Sequence, residues 1–516
     1  MTRIFLTTVF CFSFCLSILK AESFKWAYKT STYSATCVDA SDNIYTAGTV
    51  PVIKYNSNGT EIMRIKAGAN DTVTANAISV DAEGNIYICG VFSSTLSFGN
   101  FSVTSKGKTD AFWAKFRPNG APVWLASAGG SGYDYCNAMD IDSLGNIYIA
   151  GFFSFSATFG SITLSGLDYR DIFAMNCDSN GAIKWIQSIG GTGANADYLA
   201  QPVILASVPG SCIISGTFGG TAVFAGTEYK ASGNSPDGYM ARLTGYAKTA
   251  WVNIYTNAGF YGLKRNKTGD IFACGGFTNA TDIGKFHVQT PKPASNILLV
   301  RFDSLCNPKW VQTAGSAYYD QAGSLTLDSK DNIYMAGSYS DHALFGNTYM
   351  SSKGERDVFY AKFDQYGNRI WVVGIGDEGV DGGGIIGLNK AEDQLFVDGV
   401  IQFGSVSFGN TTLTDNNEFY YIADLTNINT AIAPPYIQSK DIKVYPNPSS
   451  GNINISFDKE LPANATISIY NLIGAEIMSK NIRNEKQISF DHIKPGMYIV
   501  SVKTEEGVAN QKIEVQ

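Results

Sequence analysis

Asn146-Ile147-Tyr148-Ile149-Ala150-Gly151 is one copy of a pattern, Asn-Ile-Tyr with glycine three residues after the tyrosine, that decides how this chain is read. It returns at Asn43-Ile44-Tyr45…Gly48, Asn85-Ile86-Tyr87…Gly90 and Asn332-Ile333-Tyr334…Gly337. Looser copies end at Gly216, Gly275 and Gly399. The seven glycines, at positions 48, 90, 151, 216, 275, 337 and 399, lie 42, 61, 65, 59, 62 and 62 residues apart. A near-constant period of this length means stacked copies of one supersecondary unit, none of which can bury its faces alone.

Around this copy the unit reads as four short strands. Ala138 to Asp142 alternates, Ser143 to Asn146 turns, and Ile147 to Ala150 is a second strand ended by Gly151. After a longer excursion Asp171 to Asn176 is a third strand, Asp178-Ser179-Asn180-Gly181 turns, and Lys184 to Gln187 around Trp185 is a fourth. Asn-Gly supplies the positive φ that a hairpin turn requires. The third strand recurs at Ala114-Lys115-Phe116, Ala241-Arg242-Leu243, Val300-Arg301-Phe302 and Ala361-Lys362-Phe363, and the fourth around Trp124, Trp251, Trp310 and Trp371. Four antiparallel strands joined by tight turns make a propeller blade. The spacing predicts an all-β chain whose first part is a seven-bladed β-propeller.

The ends of the repeat region predict how it closes. Glu418 to Asp424 is a third strand with no fourth after it, whereas Phe24-Lys25-Trp26-Ala27-Tyr28 is a fourth strand with no blade before it. The Trp26 strand is expected to complete the last blade, removing the open edges of the array.

The unit also predicts two unlike faces. The turns between first and second and between third and fourth strands are tight. The other connections carry inserts centred on Phe98-Gly99, Phe159-Gly160, Phe224-Ala225-Gly226, Gly284-Lys285-Phe286, Phe345-Gly346 and Phe408-Gly409, with none in the first blade. On the same side, loops such as Gly129-Gly130-Ser131-Gly132-Tyr133-Asp134 join one blade to the next. Asp134, Asp320 and Asp381 hold like positions in these loops, with Tyr133 and Tyr319 beside the first two. Carboxylates ringing a channel mouth suit Ca²⁺ or sugar hydroxyls. They equally suit capping of their own loop's amides, the more economical reading. Asp81, Asp142 and Asp328 read as turn residues.

Composition narrows function. Aromatic residues make up 13% and charged residues 16% of the 516, with 53 glycines. The net charge of −7, without a basic run, removes the electrostatic footprint for nucleic acid. Residues 1–21 read as a signal peptide: Arg3 gives the positive start, Ile4 to Leu19 is apolar, and Ala21 precedes a cut at Glu22. No other stretch is apolar enough to span a bilayer in the mature chain. Cys37, Cys89, Cys136, Cys177, Cys212, Cys274 and Cys306 are isolated and odd in number, as small buried apolar residues rather than a disulfide framework or zinc site. His287, His342 and His492 are scattered, and no His-Glu-x-x-His, Gly-x-Ser-x-Gly or phosphate-loop motif is present. No catalytic residue, metal ligand or cofactor is assigned. The expected function is a binding or adhesion scaffold for polysaccharide or protein. The alternative is a polysaccharide-active enzyme using the channel-mouth carboxylates.

After Asn427 the repeat stops. Residues 427–440, with Pro434-Pro435, read as a linker, and residues 441–516 as short strands spaced for a small immunoglobulin-like β-sandwich. The propeller thus spans residues 22–426.

Two resemblances attach to these motifs. Asp142-x-x-Gly145-Asn146-Ile147-Tyr148-x-x-Gly151, the loop from Gly129 to Asp134, and Asp110-Ala111-Phe112-x-Ala114-Lys115-Phe116…Trp124 resemble the SBBP-type β-propeller repeat of bacterial secreted proteins. The resemblance covers residues 24–425 and implies the fold but no particular activity. Tyr445-Pro446-Asn447-Pro448 with Gly451, Ile469-Tyr470-Asn471-Leu472-Ile473-Gly474, Pro495-Gly496-Met497-Tyr498 and the closing Lys512-Ile513-Glu514-Val515 resemble the type A carboxy-terminal sorting domain of the type IX secretion system. That implies a Bacteroidota source, recognition by the type IX machinery, passage across the outer membrane, and a passenger released or held at the surface after the domain is cut off.

Overall fold

A computed structural model describes residues 23–30, 35–49, 52–69, 72–167, 169–192, 202–233, 236–244, 248–290, 294–428, 442–457, 465–471, 476–482, 487–504 and 507–516. The expected signal peptide, nearly all of the linker and Gly474 lie outside them. Among the described residues every regular element is a strand.

The repeat forms four-stranded antiparallel meanders. In the third, Tyr135–Ile141 pairs with Ile147–Phe153, which pairs with Asp171–Cys177, which pairs with Ile183–Thr192. Seven such meanders occur among the described residues. Their first strands contact one another in sequence, and Gly382–Leu388 contacts Ala35–Val38, so the order returns to its start. An axial cavity of about 450 Å³ is lined by a segment of each first strand: residues 35–38, 76–78, 137–139, 202–204, 261–264, 323–326 and 385–388. The last meander takes its fourth strand from the amino-terminal side. Ser23–Thr30 runs antiparallel to Phe419–Thr426, with Trp26 opposite Asp424 and Tyr28 opposite Ile422.

The triplet does more than fill space. The carboxylate of Asp142 accepts hydrogen bonds from the amides of Leu144 and Asn146, from the Asn146 side chain at 2.8 Å and from the Tyr148 hydroxyl at 3.1 Å. Asp39 with Asn43 and Tyr45, and Asp81 with Asn85 and Tyr87, repeat the set. The tyrosine ring is buried between sheets while its hydroxyl holds the turn. The glycine has a different cause. The first strand carries a bulge, between Cys136 and Ala138 in the third meander, that brings its backbone over the second strand. A Cβ on Gly151 would stand 1.9 Å from the Tyr135 carbonyl oxygen. Only glycine permits that approach.

Four of the fourth-strand tryptophans tie neighbouring sheets through their indoles. The Trp124 indole donates to the Ser179 carbonyl in the next meander's turn, Trp310 to Gln365, and Trp371 to Ile428. Trp26 donates to Ser57, so the same bond crosses the seam between the chain's two ends. Apolar clusters fill the space between sheets, as where Tyr148, Ala150 and Phe152 meet Ile214, Phe218 and Phe224.

The inserts are six two-stranded hairpins. Three of them bond to the fourth strand of the preceding meander, through Ala128↔Phe159, Gly190↔Val223 and Ala314↔Phe345. A fourth, Thr95–Phe98 with Phe101–Thr104, pairs with Gly68–Ala69. Each covers part of an edge that would otherwise offer free amides.

In the carboxy-terminal module Ile442–Tyr445, Ile453–Phe457 and Gln487–Phe490 form one sheet. Glu476–Ile482, Ala465–Asn471, Gly496–Thr504 and Gly507–Val515 form a second. Ile455, Ile467, Ile469, Val500 and Ile513 share one buried cluster.

Trp26 is 7% exposed and sits at the seam. Replacing it with alanine is expected to cost about 3–5 kcal/mol of stability, as for other buried Trp truncations. Thermal or urea unfolding of the full chain measures this, and a variant that melts with the parent would show that the amino-terminal strand does not hold the ring.

Candidate functional site

The loop-rich face is built from the connections between meanders and the segments that lead into the third strands. Asp134, Asp320 and Asp381 occupy the loops as their spacing predicts, but they point inward. All three are fully buried. Asp134 accepts from the Gly130 amide at 2.8 Å with one oxygen and from the Ser154 amide at 3.1 Å with the other. Asp381 does the same with Asp377 and Gln402, at 2.9 and 3.0 Å. Asp320 takes the Ser316 amide and hydroxyl and, at 2.8 Å, the Ser340 amide. Their own amides donate to Thr109, Ser295 and Arg356 of the preceding meander. Each carboxylate therefore joins a loop to the end of the second strand in the following sheet. The oxygens needed for a cation or a sugar hydroxyl are committed to backbone amides. Among the described residues no group of three or more His, Cys, Asp or Glu is placed to hold a metal ion.

Burial raises all three carboxyls, and Asp134, with Asp110 nearby, is pushed up to about 6. Two more buried carboxylates lie in the closing meander. Asp398, 1% exposed, accepts from the Thr36 hydroxyl of the first meander and from the Ile385 amide at 2.6 Å. Asp424, opposite Trp26, accepts from the Gln394 side chain at 2.9 Å. Burial pushes both up to about 7.

The solvent-facing members of the loops are aromatic and cationic. The Lys108 ammonium stands 4.7 Å from the centre of the Tyr133 ring, and the Arg356 guanidinium 5.2 Å from that of Tyr319. Tyr319 is 48% exposed and donates to Gln321 at 2.8 Å. Tyr133 stacks on Tyr135 with 6.4 Å between ring centres and 15° between planes. Those two rings, with Phe152, Ser154, Tyr169 and Arg170, line a cleft of about 290 Å³. Phe155 stands at its rim, edge-on to Tyr169 at 5.3 Å. The sequence singles out Tyr133 and Tyr319; of the residues lining the cleft, it singles out Tyr133 alone. Tyr135, Tyr169 and Arg170 carry no motif and converge within the third meander, where its first and second strands meet the segment leading into its third; Lys108 comes from the second meander.

His287 and His342 are exposed on hairpins of adjacent meanders, paired with Asp282 and Asp341 at 2.7 and 2.8 Å. The seven described cysteines are unpaired, and all but Cys37 are buried.

In the carboxy-terminal module the motif residues gather around the last strand. Tyr445, 43% exposed, ends the first strand and leads through Pro446 to Asn447, Pro448 and Ser449. Asn447 accepts from the Glu514 amide at 2.9 Å and donates to the Lys512 carbonyl at 3.3 Å. The Ser449 amide donates to Glu514, and the Gln516 amide to Ser449. Gly451 has φ of 106°, its amide donates to the Ser449 hydroxyl, and its carbonyl accepts from Ile493. Gly496 has φ of 155°, and the Tyr498 hydroxyl donates to the Lys494 carbonyl at 2.9 Å. The motif is thus a clasp that fastens the final strand.

Comparison with known proteins agrees with both halves. Residues 443–516 match the secretion system C-terminal sorting domain, and residues 123–151 match the beta-propeller repeat. The chain carries a type IX sorting module behind a β-propeller repeat and is exported to the cell surface or the medium. No curated protein matches the sequence. Among solved structures, a protein of unknown function from Bacteroides caccae is 11% identical, with TM-score 0.30, over 54% of this chain and 81% of that one. A PL25 ulvan lyase bound to -[GlcA(1-4)Rha3S]- is 12% identical, with TM-score 0.41, over 73% of this chain and 91% of that one. A chain of the mitotic checkpoint complex is 9% identical, with TM-score 0.37, over 82% and 98%. Likenesses at this level carry nothing about activity.

Two outcomes follow from this geometry. Asp134, Asp398 and Asp424 have raised values in the fold, so their contribution to stability is complete below about pH 4 and is lost as pH rises through 6 to 7. Carboxylates lowered in the fold, such as Asp270 and Asp39, are already ionised in that window and do not oppose the trend. The melting temperature is expected to fall between pH 5 and pH 8, and Asp398→Asn, which can still serve Ile385 and Thr36, to flatten the slope. A profile identical to the parent would remove Asp398 from the account. In the sorting module, Asn447→Ala removes two backbone contacts and is expected to cost about 1–3 kcal/mol locally. Hydrogen exchange at Lys512 to Val515 should accelerate while the amides of Ile467 and Ile469 stay protected.

Proposed function

We propose that this protein is a secreted or surface-held binding scaffold: a seven-bladed propeller spanning residues 22–426, joined by a linker to an immunoglobulin-like sorting sandwich at 441–516. The ring presents one elaborated face to a polysaccharide or protein. The sorting module engages the type IX machinery, and removal of that module leaves the propeller in the medium or at the outer membrane.

The observation that carries the binding role is the distribution of aromatic side chains. Phe155, Tyr169, Tyr318, Tyr319 and Phe403 are between 42% and 56% exposed, and all five lie on the loop-rich face. Exposed rings on a rigid support are the usual apolar half of a recognition surface. Next to them stand Lys108, Arg170 and Arg356. The carboxylates that an enzyme of this face would use are held on amides, and this favours recognition over bond cleavage. Ca²⁺ has no donor set among them that would recommend it.

The test is a panel of environmental and matrix polymers, neutral and acidic polysaccharides and host matrix proteins, offered to the full chain. Retention of at least one polymer without release of reducing ends or unsaturated products is the expected result. Turnover of a polysaccharide by the parent that is lost in Asp134→Asn would replace the scaffold with the enzyme.

A further inference from the structure

The six hairpins leave the second strand through a common turn, and one of its positions exposes a choice that the repeat makes once. The carbonyls of Ser94, Phe155, Gly220, Asn279 and Asp341 each accept from the amide eleven residues on, at Ser105, Gly166, Ala231, Thr290 and Ser352. These five residues therefore hold one structural position. All five are left-handed, with φ of 57°, 59°, 68°, 60° and 51°. Serine, glycine, asparagine and aspartate are small or can bond locally there. A phenylalanine at positive φ is an outlier that the surrounding fold must hold in place. Nor is the ring buried in exchange: Phe155 is 55% exposed. Strain kept without a packing return points to use at that site.

What surrounds the ring says what the use is. Phe155 lies edge-on to Tyr169, itself 44% exposed, and the cleft beside them is walled by the Tyr133–Tyr135 stack. One cation lines the cleft, Arg170 over Phe152 at 4.7 Å, and a second, Lys108, stands 4.7 Å over the ring of Tyr133, which also lines it. Neither has a carboxylate partner among the described residues, although the chain carries a net charge of −7. A guanidinium packed over a ring still has N–H groups to offer a planar anion. The cleft, at about 290 Å³, is at the small end of ligand pockets, which begin near ~300 Å³. That volume suits a single sugar ring.

We propose that the cleft between Tyr133, Tyr135, Tyr169 and Arg170 binds an acidic sugar unit of a polysaccharide, with Phe155 and the tyrosines packing on the ring and Arg170 and Lys108 engaging its carboxylate or sulfate. This rests on the scaffold reading and names its ligand and its place. The site is at the junction of the second and third meanders, on the loop-rich face. Phe155 determines the affinity for the sugar face, and Arg170 the requirement for charge.

The experiment is affinity electrophoresis of the full chain in gels containing alginate, dextran sulfate or plain dextran. Retardation by alginate or by dextran sulfate, but not by dextran, is expected, and the two arms separate a carboxylate from a sulfate ligand. Added salt should weaken it, since the cations are exposed. Phe155→Asn, the residue that the repeat itself uses at Asn279, and Arg170→Gln should each weaken binding about tenfold. The first should melt no lower than the parent, because it relieves strain, so its loss of binding would not be a loss of folding. Tyr366→Ala, in a turn on the opposite face, should bind as the parent does. Acidic-polymer binding that both cleft variants retain would overturn this site and leave the scaffold reading standing. Binding only to neutral polymer or to protein would overturn the acidic ligand. Failure of the parent to bind any member of the wider panel would overturn both readings.

Discussion

Every meander in the ring has two apolar faces, and neither is covered by the meander itself. The sheet that holds Tyr148 on one side and Phe173 on the other is stable only between its two neighbours. That single requirement explains why the chain's ends must meet. Without Ser23–Thr30 the last sheet would lose its outer strand, and the indole of Trp26 could not reach Ser57 across the seam. The tryptophan bond is the same at the seam as between Trp124 and Ser179 inside the array. Closure therefore reuses the contact that already joins consecutive units.

The same requirement reassigns the acidic residues. A loop that passes from the rim of one sheet to the axis of the next has amides that no strand can satisfy. Asp134, Asp320 and Asp381 satisfy them, and in doing so they fix the loop to the following sheet. Burying a carboxylate is costly unless it is well bonded, which is why these residues sit at the one place where several free donors converge. Their regular spacing around the ring is thus a property of the scaffold, whereas the exposed side chains of the same loops vary from one loop to the next.

Much of this was legible in the sequence because it is local. The strand order, the turns, the hairpin centres and the complementary ends all follow from residues within one period. The sorting module's strands also fall where alternation places them. What was not legible depends on how strands lie over one another in space, both inside a unit and between units. Glycine at Gly151 marks a bulge in the partner strand, seen only once Tyr135 is laid over it. The tyrosine of the triplet reads as packing, yet its hydroxyl also holds Asp142, because a ring buried at the strand start still reaches the turn six residues back. Hairpins such as Ser156–Phe159 bond to the preceding sheet, a register that no spacing within one unit encodes. Asp134 was found by its spacing, and its inward orientation came from Ser154 in the next sheet.

Phe155 shows how the two levels combine. Its residue type is plain in the sequence, and its backbone is plain in the structure, but neither alone marks it. The internal comparison does: a position occupied by Ser94, Gly220, Asn279 and Asp341 in other units carries a large exposed ring in one. A repeat supplies its own reference state, because every copy solves the same backbone problem. Departures that improve packing are explained by the core. A departure that keeps strain and adds exposed apolar area has no explanation within the ring, so its cause must lie in something that the ring contacts. The proposed recognition site therefore lies where Tyr133, Tyr169 and Arg170 converge, and the symmetric set of carboxylates serves the loops that carry it.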